Sequence, residues 1–93
     1  MDRDDFEERL TEAFGVEDPD ALAVLSRQAR DLADADSPGE DLGEDLTAEA
    51  ILDHLRDAPA GHTAVERWNW WVGSLEMSYG GYQRFRVRPD VVE

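Results

Sequence analysis

The stretch TAVERWNWWVGSLEMSY at residues 63–79 decides the fold that this sequence predicts. It begins with the pattern of a capping box, in which a threonine hydroxyl and a glutamate carboxylate each bind a backbone N–H group at a helix start. Apolar side chains then recur at spacings of three and four, as in a heptad seam, and two glycines follow. We therefore predict a core helix whose inner face comprises Val65, Trp68, Trp71, Val72, Leu75 and Tyr79.

The same helix carries a second apolar flank. At about 100° per residue, Trp70 and Met77 lie together beside Gly73, away from the first stripe. A surface helix normally has one apolar stripe. The helix is therefore either the centre of the domain or in contact with a second chain.

Three further helices are predicted ahead of it. The first covers residues 4–14, with acids in its first turn, where the helix dipole favours anions. The second has Asp18 as its cap and Pro19 at its first position, and it ends near residue 35. Residues 36–45 hold two glycines, a proline and five acids, and predict a loop. The third helix is capped by Thr47 and is broken at residues 58–61.

The C-terminal part predicts one short strand over residues 82–88. Phe85 and Val87 alternate with Arg84, Arg86 and Arg88, and a proline follows. A lone strand leaves its backbone groups unpaired. We expect it to pair antiparallel with its copy across a two-fold axis.

These elements predict a mostly α fold, a compact bundle of four helices with one short C-terminal β-strand. A chain of 93 residues has room for one core, so residues 1–93 are expected to form one domain. Within it we distinguish an acidic helical body (1–66), an aromatic and arginine-rich helix and strand (67–88), and a tail (89–93).

The charge of the chain indicates the kind of solvent in which it folds. It carries 23 acids and 9 arginines, with no lysine, for a net charge of −14. Residues 1–66 hold 20 acids and 5 arginines, whereas residues 67–93 hold 3 acids and 4 arginines. Such a charge destabilises a compact state unless salt screens it, and at 1 M salt the Debye length is only ~3 Å. The composition is typical of proteins from salt-accumulating halophiles such as haloarchaea.

The sequence also indicates a cytoplasmic protein. Its first residues are charged rather than apolar, unlike a secretory signal. The longest run without a charge, residues 68–75, is far shorter than the ~20 residues that cross a bilayer. There is no cysteine, which excludes disulfides and thiolate metal sites.

Two patterns suggest ligands but are incomplete. Counted from Asp34, acids and Gly39 fall at several EF-hand positions, yet Pro38 stands at a ligand position and the final glutamate is missing. Acids such as Glu8/Glu12, Asp31/Asp34 and Glu49/Asp53 share helical faces, as in magnesium-dependent nucleotide pyrophosphatases of the MazG type, but their glutamate-rich motif is absent. We therefore expect solvated acidic surfaces, with no metal and no cofactor.

The arginine row allows a nucleic-acid alternative. Same-face strand residues lie ~6.5–7 Å apart, close to the spacing of phosphates, and Tyr79, Tyr82 and Phe85 could stack on bases. A net charge of −14 repels a polyanion, so we expect the arginines to pair with acidic helices of the same or a partner chain.

The sequence offers no convincing catalytic set, since His54 and His62 lack the companions of a zinc site. We predict a non-enzymatic protein–protein interaction module, acting as a homodimer or as a small partner subunit. The alternatives are a nucleic-acid accessory protein, a metal-dependent enzyme on the acidic helices, and a ligand pocket lined by the tryptophans. The predicted interface comprises Trp68, Trp70, Trp71, Met77, Tyr79, Tyr82, Arg84, Phe85, Arg86 and Arg88.

Overall fold

The computed structural model describes residues 2–43 and 46–87, with backbone only for residues 36–38. Within these ranges the fold is all-helical. The elements are α1 (Arg3–Phe14), α2 (Pro19–Asp34), α3 (Asp36–Leu42), α4 (Ala48–Arg56), α5 (Ala64–Tyr79) and a short 3-10 turn (Gln83–Phe85).

The helix starts are set by side-chain caps. The Asp18 carboxylate accepts the Asp20 N–H at 3.0 Å, and Pro19 follows at the first helical position. Thr47 caps α4, and Thr63 and Glu66 form the predicted capping box of α5. Each cap satisfies a backbone donor that the helix cannot, which stabilises it by about 1 kcal/mol. The caps predicted at all three helices are confirmed.

The core lies where α5 meets α2 and α4, with α1 packed on α2 and α4. Five of the six residues predicted for the inner face of α5 are buried. Tyr79 is half exposed, because it lies at the C-terminal end of α5. The largest fully buried side chains are Trp68, Tyr82, Phe6, Leu10, Leu25, Leu32, Ile51, Leu52, Leu55 and Val72.

The loop predicted at residues 36–45 is partly a helix, which gives five helices rather than four. Pro38 falls in the first turn of α3, where its missing N–H breaks no hydrogen bond. Gly43 ends α3 with a φ of 69°, a left-handed conformation that favours glycine. Residues 36–42 therefore do not form the open loop of an EF-hand.

The predicted C-terminal strand is also wrong, since residues 83–85 form a 3-10 turn that Tyr82 precedes in a helical conformation and Arg86 follows in an extended one. The Phe85 N–H donates to the Tyr82 carbonyl at 3.0 Å, and the Arg86 N–H donates to the Gln83 carbonyl at 3.1 Å. Tyr82 and Phe85 are both buried and are three residues apart, a spacing that suits one 3-10 turn and not a strand. Arg88 lies outside the described residues.

The described helices include none that combines the length and the apolar character needed to cross a membrane.

Candidate interaction surface on the last helix

The four residues Trp68–Trp71 point in four directions, because an α-helix turns by about 100° per residue. Trp68 is fully buried, and its indole N–H donates to the Phe85 carbonyl at 2.7 Å. Trp71 is also buried, with its ring edge-on to Trp68 and stacked on His54 at a centroid distance of 4.9 Å. These two tryptophans, predicted as interface residues, belong to the core.

Asn69 binds the C-terminal segment with both ends of its amide. Its Nδ2 donates to the Val87 carbonyl at 2.7 Å, and its Oδ1 accepts the Val87 N–H at 2.8 Å. A neighbouring strand would satisfy the same two backbone groups. The strand-to-strand contact predicted with a second copy is therefore wrong for the described residues, because they form no strand and Asn69 already binds both backbone groups of Val87.

Tyr82 fixes the start of that segment. Its N–H donates to the Glu76 carboxylate at 2.6 Å, and its hydroxyl donates to the Asp41 carboxylate of α3 at 2.5 Å. Burial, followed by the bond to Asp41, raises the pKa of the Tyr82 phenol above its ordinary value, so the hydroxyl stays protonated. Tyr82 and Phe85 are buried and thus have no ring face free to stack on nucleic-acid bases.

Arg84 and Arg86 are exposed. The Arg84 guanidinium lies 4.7 Å from the centroid of the Phe85 ring, a cation–π contact. The ion pairs found among the described residues, Arg9–Asp5, Arg30–Asp34 and Arg56–Asp53, each lie within one helix. Arg84 and Arg86 form no ion pair with the acidic helices in the part of the chain that the structure describes.

Trp70 and Met77 form the second apolar flank that the sequence predicted, and the fold leaves this flank exposed. Met77 is 91% exposed and Trp70 is 38% exposed. Tyr79 lies on another side of α5, with its ring edge-on to Tyr82. Trp70 and Met77 border a groove of about 390 Å³, which we call the α5 groove; it is lined by Asn69, Trp70, Gly73, Ser74, Glu76, Met77, Gln83 and Arg86.

Gly73, in the α5 groove, is not explained by packing inside the chain. A Cβ atom added there would meet no atom within 4 Å, and its φ is not in the left-handed region. A glycine in the middle of a helix costs about 0.5–1 kcal/mol relative to alanine. Sequence reasoning placed Gly73 beside Trp70 and Met77, but its open surroundings become visible only in the folded chain.

A second depression, of about 570 Å³, lies between the α1–α2 connection and the start of α5. Its apolar lining includes Phe14, Val16 and Val65. The Thr63 hydroxyl and the Glu66 carboxylate also line it, but both are bound to backbone N–H groups in the capping box of α5. Both side chains therefore serve the helix start.

The acid pairs considered for magnesium lie on exposed helix faces. Among the described residues, no three or more His, Cys, Asp or Glu side chains are grouped so that they could hold a metal ion. The paired acids therefore do not converge into a donor set in this part of the chain.

The family model of the WNWW domain matches residues 1–76, and the chain belongs to this family. The letters WNWW in the family's description match the sequence of residues Trp68–Trp71, whose bonds and packing are given above. No match to the chain was found among curated proteins or among solved structures.

Proposed function

We propose that this protein is a non-enzymatic interaction module that acts in a salt-rich cytoplasm as a homodimer or as the small subunit of a complex. The observation that carries the proposal is the exposed pair Trp70 and Met77, which stand on either side of Gly73 on a helix whose other large apolar side chains pack into the core or against Tyr82.

The side chains of the α5 groove are of the kinds that bind proteins. Tryptophan, methionine and arginine are enriched at interfaces, and tryptophan is common among the residues that dominate binding energy. Burying an apolar side chain of the size of methionine contributes about 1.5–3 kcal/mol. Since Met77 is 91% exposed, almost all of that contribution is still available to a partner.

Charge favours the same part of the surface. Residues 67–87 contain one acid, Glu76, and three arginines, whereas the preceding 66 residues have a net charge of −15. The Glu76 carboxylate is already bound to the Tyr82 N–H. A partner that approaches α5 therefore avoids the repulsion that the acidic body exerts on another acidic protein.

The experiment compares the wild-type chain with the double variant Trp70→Ser, Met77→Ser and with the control Tyr79→Ser. Light scattering in 2 M KCl should give a mass above the 10.5 kDa of one chain for the wild type and for the control. The double variant should be monomeric and should keep its helical circular dichroism. An assembly that forms equally well in the double variant would show that the α5 groove is not the contact.

A further inference from the structure

Resting on this proposed function, we propose that the occupant of the α5 groove is a second copy of the chain, with its α5 packed antiparallel across a two-fold axis between Gly73 and Ser74. The proposal follows from the order of residues along the exposed face, from the small residues at its centre, and from the strongly acidic surface elsewhere.

The exposed face is self-complementary only in the antiparallel direction. Trp70 and Met77 lie at equal distances on either side of the midpoint between residues 73 and 74. An antiparallel copy centred there places Trp70 on Met77 of the second copy, and the two-fold axis repeats that contact. A thioether against an aromatic ring is a favourable pair.

The residues at the crossing point allow the two helices to approach closely. Gly73 has no side chain, and the space above it is open. The Ser74 hydroxyl donates to the Trp70 carbonyl at 3.0 Å, so it brings no unpaired donor into the contact. Small residues at a crossing favour the short end of the usual 8–10 Å between helix axes. This accounts for a glycine that the chain's own packing does not need.

The helix dipole also favours the antiparallel direction. Each α5 of 16 residues carries a dipole that is positive at its start and negative at its end. An antiparallel copy opposes the two helix dipoles, whereas a parallel copy would align them. On the acidic body, two copies of charge −14 would repel each other.

The contact is small, which sets its strength. A helix of 16 residues is about 24 Å long. One such face per copy lies at the low end of the interface sizes that give stable complexes. We therefore expect a concentration-dependent dimer that is tighter in molar salt, where like charges are screened and apolar burial is unchanged.

Cysteine cross-linking tests this arrangement, because the chain has no cysteine of its own. Ser74→Cys, beside the axis, should form a covalent dimer under mild oxidation. The matched control Ser78→Cys, exposed one turn further along the same helix, should give at least tenfold less, because it would stand about 13 Å along the helix from its own copy. A disulfide spans only ~7 Å between Cα atoms.

The two apolar positions give a second readout of direction. Trp70→Cys alone and Met77→Cys alone should give little cross-linking, because each would stand about 10 Å along the helix from its own copy. An equal mixture of the two variants should cross-link, because the antiparallel arrangement places one position opposite the other.

Each outcome decides a different point. Cross-linking of Ser74→Cys and of the mixture, with little in the control, supports the antiparallel dimer. Self-cross-linking of Trp70→Cys and of Met77→Cys shows a parallel pair and overturns the proposal, while the α5 groove remains the interface. A wild type that stays monomeric in molar salt at millimolar concentration overturns the second copy as occupant. A wild-type dimer that Trp70→Ser, Met77→Ser leaves intact overturns both this inference and the proposed function.

Discussion

Replacing Asn69 by alanine should loosen the C-terminal segment and lower the stability of the whole domain. The variant removes both hydrogen bonds to Val87 and leaves a partly buried N–H and carbonyl without partners. An intramolecular hydrogen bond contributes about 0.5–1.5 kcal/mol net, and an unpaired buried group costs about 1–3 kcal/mol. We expect the free energy of unfolding to fall by about 2 kcal/mol. For a domain of this size that lowers Tm by about 10 °C.

The assay is thermal unfolding followed by circular dichroism in 2 M KCl, with amide hydrogen exchange at Val87 as a local readout. The N–H of Val87 should exchange much faster in the variant. Ser74→Ala serves as the matched control, since the Ser74 side chain is exposed and bonds only within its own helix. If Asn69→Ala melts within 1 °C of the wild type, the clamp on Val87 does not stabilise the fold.

Asn69→Asp separates the two bonds of the clamp. The ionised carboxylate of this variant still accepts the Val87 N–H, but it can no longer donate to the Val87 carbonyl, and two acceptor oxygens then face each other. The folded state therefore raises the pKa of this carboxyl above its unfolded value of about 3.9. The stability that its protonated form contributes is present below the unfolded pKa and is lost as the pH rises through the folded pKa. Relative to Asn69→Ala at the same pH, Asn69→Asp should gain stability from pH 7 to pH 4; a constant difference would contradict this.

Three further predictions use other parts of the molecule. Stability should be higher in 2 M KCl than in 0.1 M KCl because salt screens a net charge of −14, and a melting temperature that is flat or falls with salt would refute the halophilic interpretation. Tyr82→Phe should lower the free energy of unfolding by about 1 kcal/mol. In the wild type, ultraviolet titration should show one of the two tyrosines ionising only well above pH 10. Since folding raises the pKa of Tyr82, the stability that its protonated hydroxyl contributes is present below pH 10 and is lost as the pH rises through the folded pKa. Replacing Arg84 and Arg86 by glutamine makes the net charge −16 and should raise the salt concentration needed for folding. If the wild type binds single-stranded DNA in molar salt and this variant does not, the nucleic-acid alternative is favoured.

The elements that the sequence predicted correctly have local causes. Asp18, Thr47 and Thr63 cap helices because their side chains reach backbone donors two or three residues ahead, a relation that is visible in the chain itself. The buried stripe of α5 follows from its three- and four-residue spacing. The placement of Trp70 and Met77 on a second flank follows from the same spacing, but the sequence left open whether that flank is buried, and only the fold shows that it is exposed.

The elements that the sequence missed depend on contacts between distant residues. Arg84 and Arg86 do alternate with Phe85 and Val87, but the backbone partners of the segment are side chains on α5, which no pattern within residues 82–88 could indicate. The 3-10 turn also brings in Tyr82, whose hydroxyl meets Asp41, 41 residues earlier. In α3, the proline and glycine that predict a loop are tolerated because the helix is short and the proline lies in its first turn.

The Trp-Asn-Trp-Trp sequence thus has a divided role, and its two parts depend on each other. Trp68 and Asn69 hold the segment that carries Gln83 and Arg86, and these two residues complete the α5 groove beside Trp70. Loss of the clamp would remove one side of the groove without touching Trp70 or Met77. Asn69→Ala should therefore weaken dimer formation as well as stability, even below its melting temperature. If the dimer forms with wild-type affinity in a folded Asn69→Ala chain, the contact rests on Trp70 and Met77 alone, and the C-terminal segment serves only to close the core.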